Sequence, residues 1–258
     1  MHIPSKVPQP VFRQVLRTNL GINDRKIEIL EETDYPFGER IDFTILTKQP
    51  IEFPLSLRIP AWCRAPHLSI NGRPANVPRI TRGFIKIYRK FQPNDKVSLT
   101  LTMHFATSQW PQSGVAIEHG PLVYSLAIKE SWSPVIEPKY TTEEFPGWNA
   151  MPASSWHYAL SANSASLVNE AKLKRRAMTN DPWIDPPVSV TVPARRVENW
   201  PLQANPDNAA QKFTPPLPET RDMQISELED KIELVPYGST HLRLTIFPGI
   251  PSAVEGAV

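Results

Sequence analysis

What this sequence has least of is cysteine. A single one, Cys63, in 258 residues permits no internal disulfide, and a lone thiol cannot supply the three or four converging ligands of a cysteine-rich zinc site. Glycine is scarce too, at 10 residues against 29 prolines. Each internal proline costs a helix about 3 kcal/mol, so long helices are disfavoured and short strands with ordered loops remain. No stretch approaches the roughly 20 apolar residues of a membrane span. The opening MHIPSKVPQPVFRQ lacks the apolar run of a signal peptide, so the chain as written reads as unsecreted, and cytoplasmic by default. An excess of one charge is also missing: 28 basic and 26 acidic residues leave a net charge of +2. That is too small and too evenly mixed for the footprint of a nucleic-acid binder.

What is present reads as an ordinary globular chain, 40% hydrophobic and 21% charged, near the size at which one core splits into two. Period-two alternation recurs: Ile41, Phe43 and Ile45 in RIDFTILT, Val97, Leu99 and Leu101 in KVSLTLTM, and Leu242, Leu244 and Ile246 in HLRLTIF. Such strands bury one face and solvate the other, as in antiparallel sandwiches. Asn71-Gly72 is a strong hairpin signal, because both central positions of a type I′ turn need positive φ. Pro93-Asn94-Asp95 marks a second turn. Lys26 to Met103 thus predicts a meander of about six strands.

After His104 the texture changes, and a second domain is expected to begin near Phe105, passing through a stretch dense in Pro, Trp and Ser from Ser131 to Trp156. Ser164 to Met178 could be a short helix, but its apolar spacing is poor, and strand or loop stands equally open. Phe213 to Thr220, with Pro215, Pro216 and Pro218, reads as an extended connector, an SH3-type ligand being the alternative. Lys172, Lys174, Arg175 and Arg176 read as solvated charge at the end of an element, with an interaction patch as the alternative.

Catalytic signatures are missing: no GxSxG elbow, no GxGxxG after a strand, no GxxxxGK loop and no HExxH. His2, His67, His104, His119, His157 and His241 show no metal-ligand spacing with one another or with Cys63. Glu31, Glu32 and Asp34 are a conceivable glycosidase pair, yet neighbours on a strand point to opposite faces. Glu143-Glu144 is read as solvated loop charge. The seven tryptophans carry a different possibility, since an indole face is a flat apolar platform for a sugar ring. Trp62 reads as core; Trp110, Trp132 and Trp148, in Pro-rich or polar loops, are the sugar-binding candidates.

The phrases EETDYPFGERIDFTI, FPLSLRIPAWC, SINGRPA, HGPLVYSL, SSWHYAL and IELVPYGSTHLRLTIFP occur in that order. Together they resemble the C-terminal half of glycoside hydrolase family 127, the β-L-arabinofuranosidase-like group. The resemblance implies an all-β fold of two consecutive antiparallel β-sandwich domains. It assigns residues 1–104 to the first, whose N-terminal 20 or so residues are allowed to be irregular, and 105–258 to the second. The family's (α/α)6 catalytic barrel is lacking. In the family that barrel holds zinc on a glutamate and three cysteines, one the nucleophile, and a second glutamate acts as acid and base. None of those motifs occurs here, so no cofactor is expected in this chain, and no catalytic role passes to any position, Cys63 included. The expected function is a non-catalytic accessory portion, as a truncated product or separate subunit. Its expected partners are a helical barrel in cis or trans and plant-type arabinose-containing carbohydrate, with no nucleic acid and no membrane. A free-standing carbohydrate-binding module is the alternative, and an enzyme built on Glu31, Glu32 or Asp34 the most remote reading.

Overall fold

The computed structural model describes residues 12–19, 26–137, 139–206 and 208–251. Contacts divide the chain into two compact units, Met1–His104 with Ala177–Asn180, and Phe105–Arg176 with Asp181–Val258. The fold is all-β with one short α-helix and two 3-10 turns, and no helical barrel is present among the described residues.

The first unit contains β1 (Phe12–Asn19), β2 (Lys26–Thr33), β3 (Arg40–Leu46), β4 (Ile51–Arg58), β5 (Pro66–Ile70), β6 (Arg73–Ala75), β7 (Phe84–Phe91) and β8 (Asp95–Leu101). Six of them form one antiparallel sheet in the order β1-β2-β3-β8-β5-β6, and β4 pairs with β7 in another. In β4 every second residue, Ile51, Phe53, Leu55 and Leu57, is buried and the residues between are exposed. Ile85, Ile87 and Phe91 of β7 meet them in a single core, closed from the larger sheet by Ile27, Phe43, Ile45, Val97, Leu99 and Leu101. Phe53 and Phe91 touch with ring centroids 4.7 Å apart. Each such aliphatic or aromatic side chain contributes about 2 kcal/mol on burial. Trp62 packs partly buried against this cluster.

Residues 12–19 depart from the irregular start allowed by the sequence. They pair antiparallel along all of β2, from Phe12 opposite Thr33 to Asn19 opposite Lys26, and so satisfy an edge whose N–H and C=O groups would otherwise lack partners. The expected Asn71-Gly72 turn is present, with φ of 53° and 77°. It is tied to the Pro93-Asn94-Asp95 turn through one buried carboxylate. Asp95 Oδ1 accepts from the Asn71 amide at 2.8 Å, and its Oδ2 accepts from the Gln92 N–H at 2.9 Å with Arg89 at 3.4 Å. Asn71 returns a bond by accepting from the Lys96 N–H at 2.8 Å. Burial pushes the Asp95 carboxyl upward, but the Asn71 amide, the Gln92 N–H and the Arg89 guanidinium outweigh it and hold it below the usual carboxylate value.

The second unit contains β9 (Phe105–Trp110), β10 (Gly114–His119), β11 (Leu122–Ala127), β12 (Glu130–Val135), β13 (Gly147–Pro152), β14 (Tyr158–Ser161), α1 (Ser164–Glu170), β15 (Lys172–Arg175), β16 (Val188–Val197), β17 (Gln203–Asn205), β18 (Asn208–Phe213), β19 (Ile225–Pro236), β20 (Arg243–Leu244) and β21 (Phe247–Ile250). Pairing runs β10-β11-β19-β16-β14-β21 and returns from β21 to β10, so the sheet closes on itself. The β14–β21 pair is parallel and the other pairs in this circuit are antiparallel. Val115, Ile117, Tyr124, Leu160, Val190, Leu234 and Phe247 fill the interior. The two hairpins β12–β13 and β17–β18 stand outside this sheet.

Three readings of this half need revision. HLRLTIF is two short strands, because the chain changes partners at Thr245, from β11 before it to β10 and β14 after it; Phe247, not Ile246, then enters the core. Ser164 to Met178 is neither all helix nor all strand. Asn163 caps α1 by accepting from the Ala165 and Ser166 N–H groups, Leu167 anchors the helix, and β15 follows directly. Ser131 to Trp156 is not only loop, for β12 and β13 lie within it, their prolines tolerated in a two-stranded ribbon whose outer edges need no partner.

Removing the Asp95 carboxylate strands the Asn71 amide and the Gln92 N–H. Asp95→Ala is therefore expected to lower the unfolding free energy by about 3 kcal/mol, measured by urea denaturation at neutral pH. Because the folded-state value lies below the unfolded one, this stabilisation is complete above the ordinary carboxylate value of 3.8 and is lost as pH falls through the lower folded value. The difference between wild type and Asp95→Ala should shrink on acidification.

Candidate functional site

The strongest site on the second unit grows out of the pleat of β9, β10 and β11. Across β9 and β10, Trp110 stands opposite Gly114, Ser108 opposite Ala116 and Ala106 opposite Glu118; across β10 and β11, Glu118 stands opposite Val123. Directly opposed residues share a face. Val115 and Ile117 point inward and are buried, so Trp110, Ser108, Ala116, Glu118 and Val123 share the outward one. They floor a cleft of about 570 Å³, walled by Trp183, Tyr237, Gly238, Thr245 and Ile246.

Its aromatic walls are held in place yet accessible. Trp110 is 49% exposed, Trp183 40% and Tyr237 49%. The Trp110 indole N–H donates to Ser108 Oγ at 3.1 Å, which fixes the ring and leaves its face open. Trp183 lies on the Gly238 backbone: a Cβ there would come within 3.0 Å of its Cε3. Arg243 stacks on Tyr237 at 4.0 Å from the ring centroid and donates to its hydroxyl at 3.0 Å. Glu118 is the one carboxylate among the residues lining the cleft. Rigid aromatic faces with one carboxylate and the hydroxyls of Ser108, Tyr237 and Thr245 suit binding of a ring bearing hydroxyls.

Of the three tryptophans singled out by sequence, only Trp110 is here. Trp132 and Trp148 lie on β12 and β13, opposite Ala150 and Pro134 respectively, and share one face of that hairpin. Both are exposed. Trp132 donates to Glu130 Oε2 at 2.8 Å, and Glu130 is held below the usual carboxylate value chiefly by the Leu242 N–H. Sequence reasoning missed Trp183 and Tyr237. Trp183 sits in DPWIDPP, a proline-rich context like those that marked the other candidates.

The remaining candidates do not assemble. Glu31 and Glu32 are consecutive on β2, opposite Phe43 and Asp42, and so face opposite ways. Burial raises the Glu31 carboxyl, and Asp34 lies exposed beyond the strand. Glu143 and Glu144 are exposed in a loop. Lys172, Lys174 and Arg175 lie on the edge strand β15. Lys174 pairs with Glu233 at 3.4 Å, and Arg176 pairs with Asp185. Pro216 of the extended connector accepts from the Trp200 indole at 2.9 Å. His2 lies outside the described residues. No three His, Cys, Asp or Glu side chains converge to hold a metal among the described residues. Cys63 is buried, and burial pushes its thiol up, away from the thiolate a zinc ligand must be. These residues do not fit the zinc ion of the resembled family. No helix among the described residues is long and apolar enough to cross a membrane.

Fold and site together define an all-β chain with an aromatic-walled cleft. Residues 13–103 match the family model described as Beta-L-arabinofuranosidase, GH127 middle domain, so that segment is similar to the middle domain of GH127 proteins. Solved structures extend the likeness beyond that segment. A GH127 β-L-arabinofuranosidase from Geobacillus stearothermophilus is 22% identical with a TM-score of 0.57, over 92% of this chain and 32% of its own. A chain described as a glycoside hydrolase is 19% identical with a TM-score of 0.58, over 92% of this chain and 34% of its own. A GH127 β-arabinofuranosidase is 17% identical with a TM-score of 0.55, over 94% and 34%. At these identities the likeness is one of fold. The present chain spans about a third of the length of these solved chains. No curated protein matches it.

Gly238→Ala should push Trp183 off its seat. The expected outcome is a red shift of tryptophan emission that is absent when the same change is made in a Trp183→Phe background.

Proposed function

We propose that this chain is a non-catalytic accessory portion of a GH127-like carbohydrate-active protein, acting with a helical barrel supplied in cis or in trans. The match of residues 13–103 to the GH127 middle domain carries this reading. It is supported by the arrangement of the carboxylates, since Glu31 and Glu32 diverge from one strand, whereas glycoside hydrolysis needs two carboxyl groups facing one bond about 5 to 10 Å apart. The exposed Trp132, Trp148, Tyr140 and Phe145 give it apolar surface of the kind that a partner covers. Zinc and its cysteines belong to the barrel in this reading, and the carbohydrate is of the arabinose-containing plant type. Whether the portion arose by truncation or is made as a subunit is decided by the DNA flanking its coding sequence, where a neighbouring frame encoding the barrel is the expected finding.

The alternative, a free-standing carbohydrate-binding module, is favoured by one observation, the position of Trp110 in an aromatic-walled cleft.

The purified chain, supplied with zinc and a thiol reductant, is expected to release no leaving group from an aryl β-L-arabinofuranoside above the buffer rate. Release that disappears in Glu32→Gln would overturn the accessory reading in favour of an enzyme.

A further inference from the structure

We propose that the cleft between Trp110, Trp183 and Tyr237 binds one neutral glycosyl ring, an indole lying against its CH face and Glu118 accepting its hydroxyl protons. This deepens the accessory reading by naming a sugar site in the second unit, and it rests on that reading only for arabinofuranoside as the first probe.

Three observations carry it. The first is size: about 570 Å³ lies within the range of small-molecule sites, roughly 300 to 1,000 Å³. The second is rigidity without coverage. Trp110 and Trp183 remain 49% and 40% exposed, although the Ser108 hydroxyl and the Gly238 backbone hold them in place. A ligand docking on them need not first order its own walls.

The third observation selects the chemistry. Glu118 is the one carboxylate of an otherwise mostly apolar lining. A wholly apolar occupant, such as a hydrophobic peptide side chain, would strip water from that carboxylate and give it no donor in return. A polyol ring covers the indoles with its CH groups and supplies O–H donors to the carboxylate at once. An acidic sugar brings a second negative charge against Glu118. No lysine or arginine is among the lining residues, and Arg243, stacked on Tyr237, is already turned to the Tyr237 hydroxyl and to the Thr240 carbonyl at 2.6 Å. Neutral rings are therefore preferred to uronic ones.

The test uses the full chain, with calorimetric and tryptophan-fluorescence titrations of methyl β-L-arabinofuranoside, methyl β-D-galactopyranoside and galacturonate. Saturable binding of at least one neutral glycoside in the millimolar range is expected, with galacturonate weaker. Trp110→Ala and Trp183→Ala should each weaken binding about tenfold, on proteins shown to be folded by circular dichroism and by an unchanged melting temperature. Glu118→Gln should narrow the gap between neutral and acidic sugars, an effect that a general loss of structure does not produce. Trp132→Ala with Trp148→Ala should leave binding as it is. The proposal is overturned by three outcomes: no saturation by either neutral glycoside at about 50 mM, binding that survives both cleft tryptophan substitutions, or binding lost only with the hairpin pair. Absence of binding without arabinofuranoside turnover would remove the cleft and leave the accessory reading intact; turnover would remove that reading and leave the cleft to its own titration.

Discussion

The register of β10 is the constraint on which the second unit depends. Val115 and Ile117 are buried in its core while Ala116 and Glu118 face the cleft, and a slip of a single residue would exchange the two sets. Such a slip would drive the Glu118 carboxylate into the core and expose two aliphatic side chains. It is further opposed on both edges. β10 pairs with β11 and β9 on six of its own residues taken together, and β21 pairs with it while pairing in parallel with β14. Gly249 of β21 shows how tightly the circuit is drawn. A Cβ there would lie 2.5 Å from the Ser113 carbonyl oxygen, so the closing strand must carry no side chain at that point.

The first unit solves a related problem by polar means. Its sheets share an apolar core, but apolar contact alone does not fix how two turns stand relative to each other. Asp95 does so. One buried carboxylate accepts from a residue of the β5–β6 turn and from the turn before β8, and its charge is answered by Arg89. A buried acid with three partners resembles, in pKa direction alone, a functional group. Its partners are two turn residues and Arg89 of β7, and it is buried, which marks it as a fastening of the fold.

The parts legible in the sequence were those written in local periodicity. KVSLTLTM alternates because β8 has one wet face, and its Val97, Leu99 and Leu101 are buried; Asn71-Gly72 turns because both residues take positive φ. HLRLTIF has the same alternation and yet breaks, since its two ends pair with different strands that lie far from it in sequence. The cleft was legible only through Trp110. Its other walls come from a proline-rich loop at Trp183 and a 3-10 turn at Tyr237, and no short-range pattern announces that these segments meet. Trp132 and Trp148 satisfied the same compositional criterion as Trp110 but were carried to a separate hairpin by strand pairing.

Holding a sugar and cleaving it are physically separable tasks that place different demands on side chains. Cleavage requires groups whose ionisation is tuned and which converge on one bond. Here the thiol of Cys63 is pushed in the direction opposite to a nucleophile's need, and Glu31 and Glu32 diverge from a common strand. Holding requires only flat apolar faces, an acceptor and freedom from collapse, and those coexist at Trp110, Trp183 and Glu118. Affinity that is equal for substrate and transition state does not speed a chemical step by itself. It becomes useful when it is tethered to a catalyst, because a weak millimolar contact then raises the local concentration of the glycan at the active site. On the proposed reading, a cleft of modest affinity is what an accessory partner of a glycoside hydrolase needs.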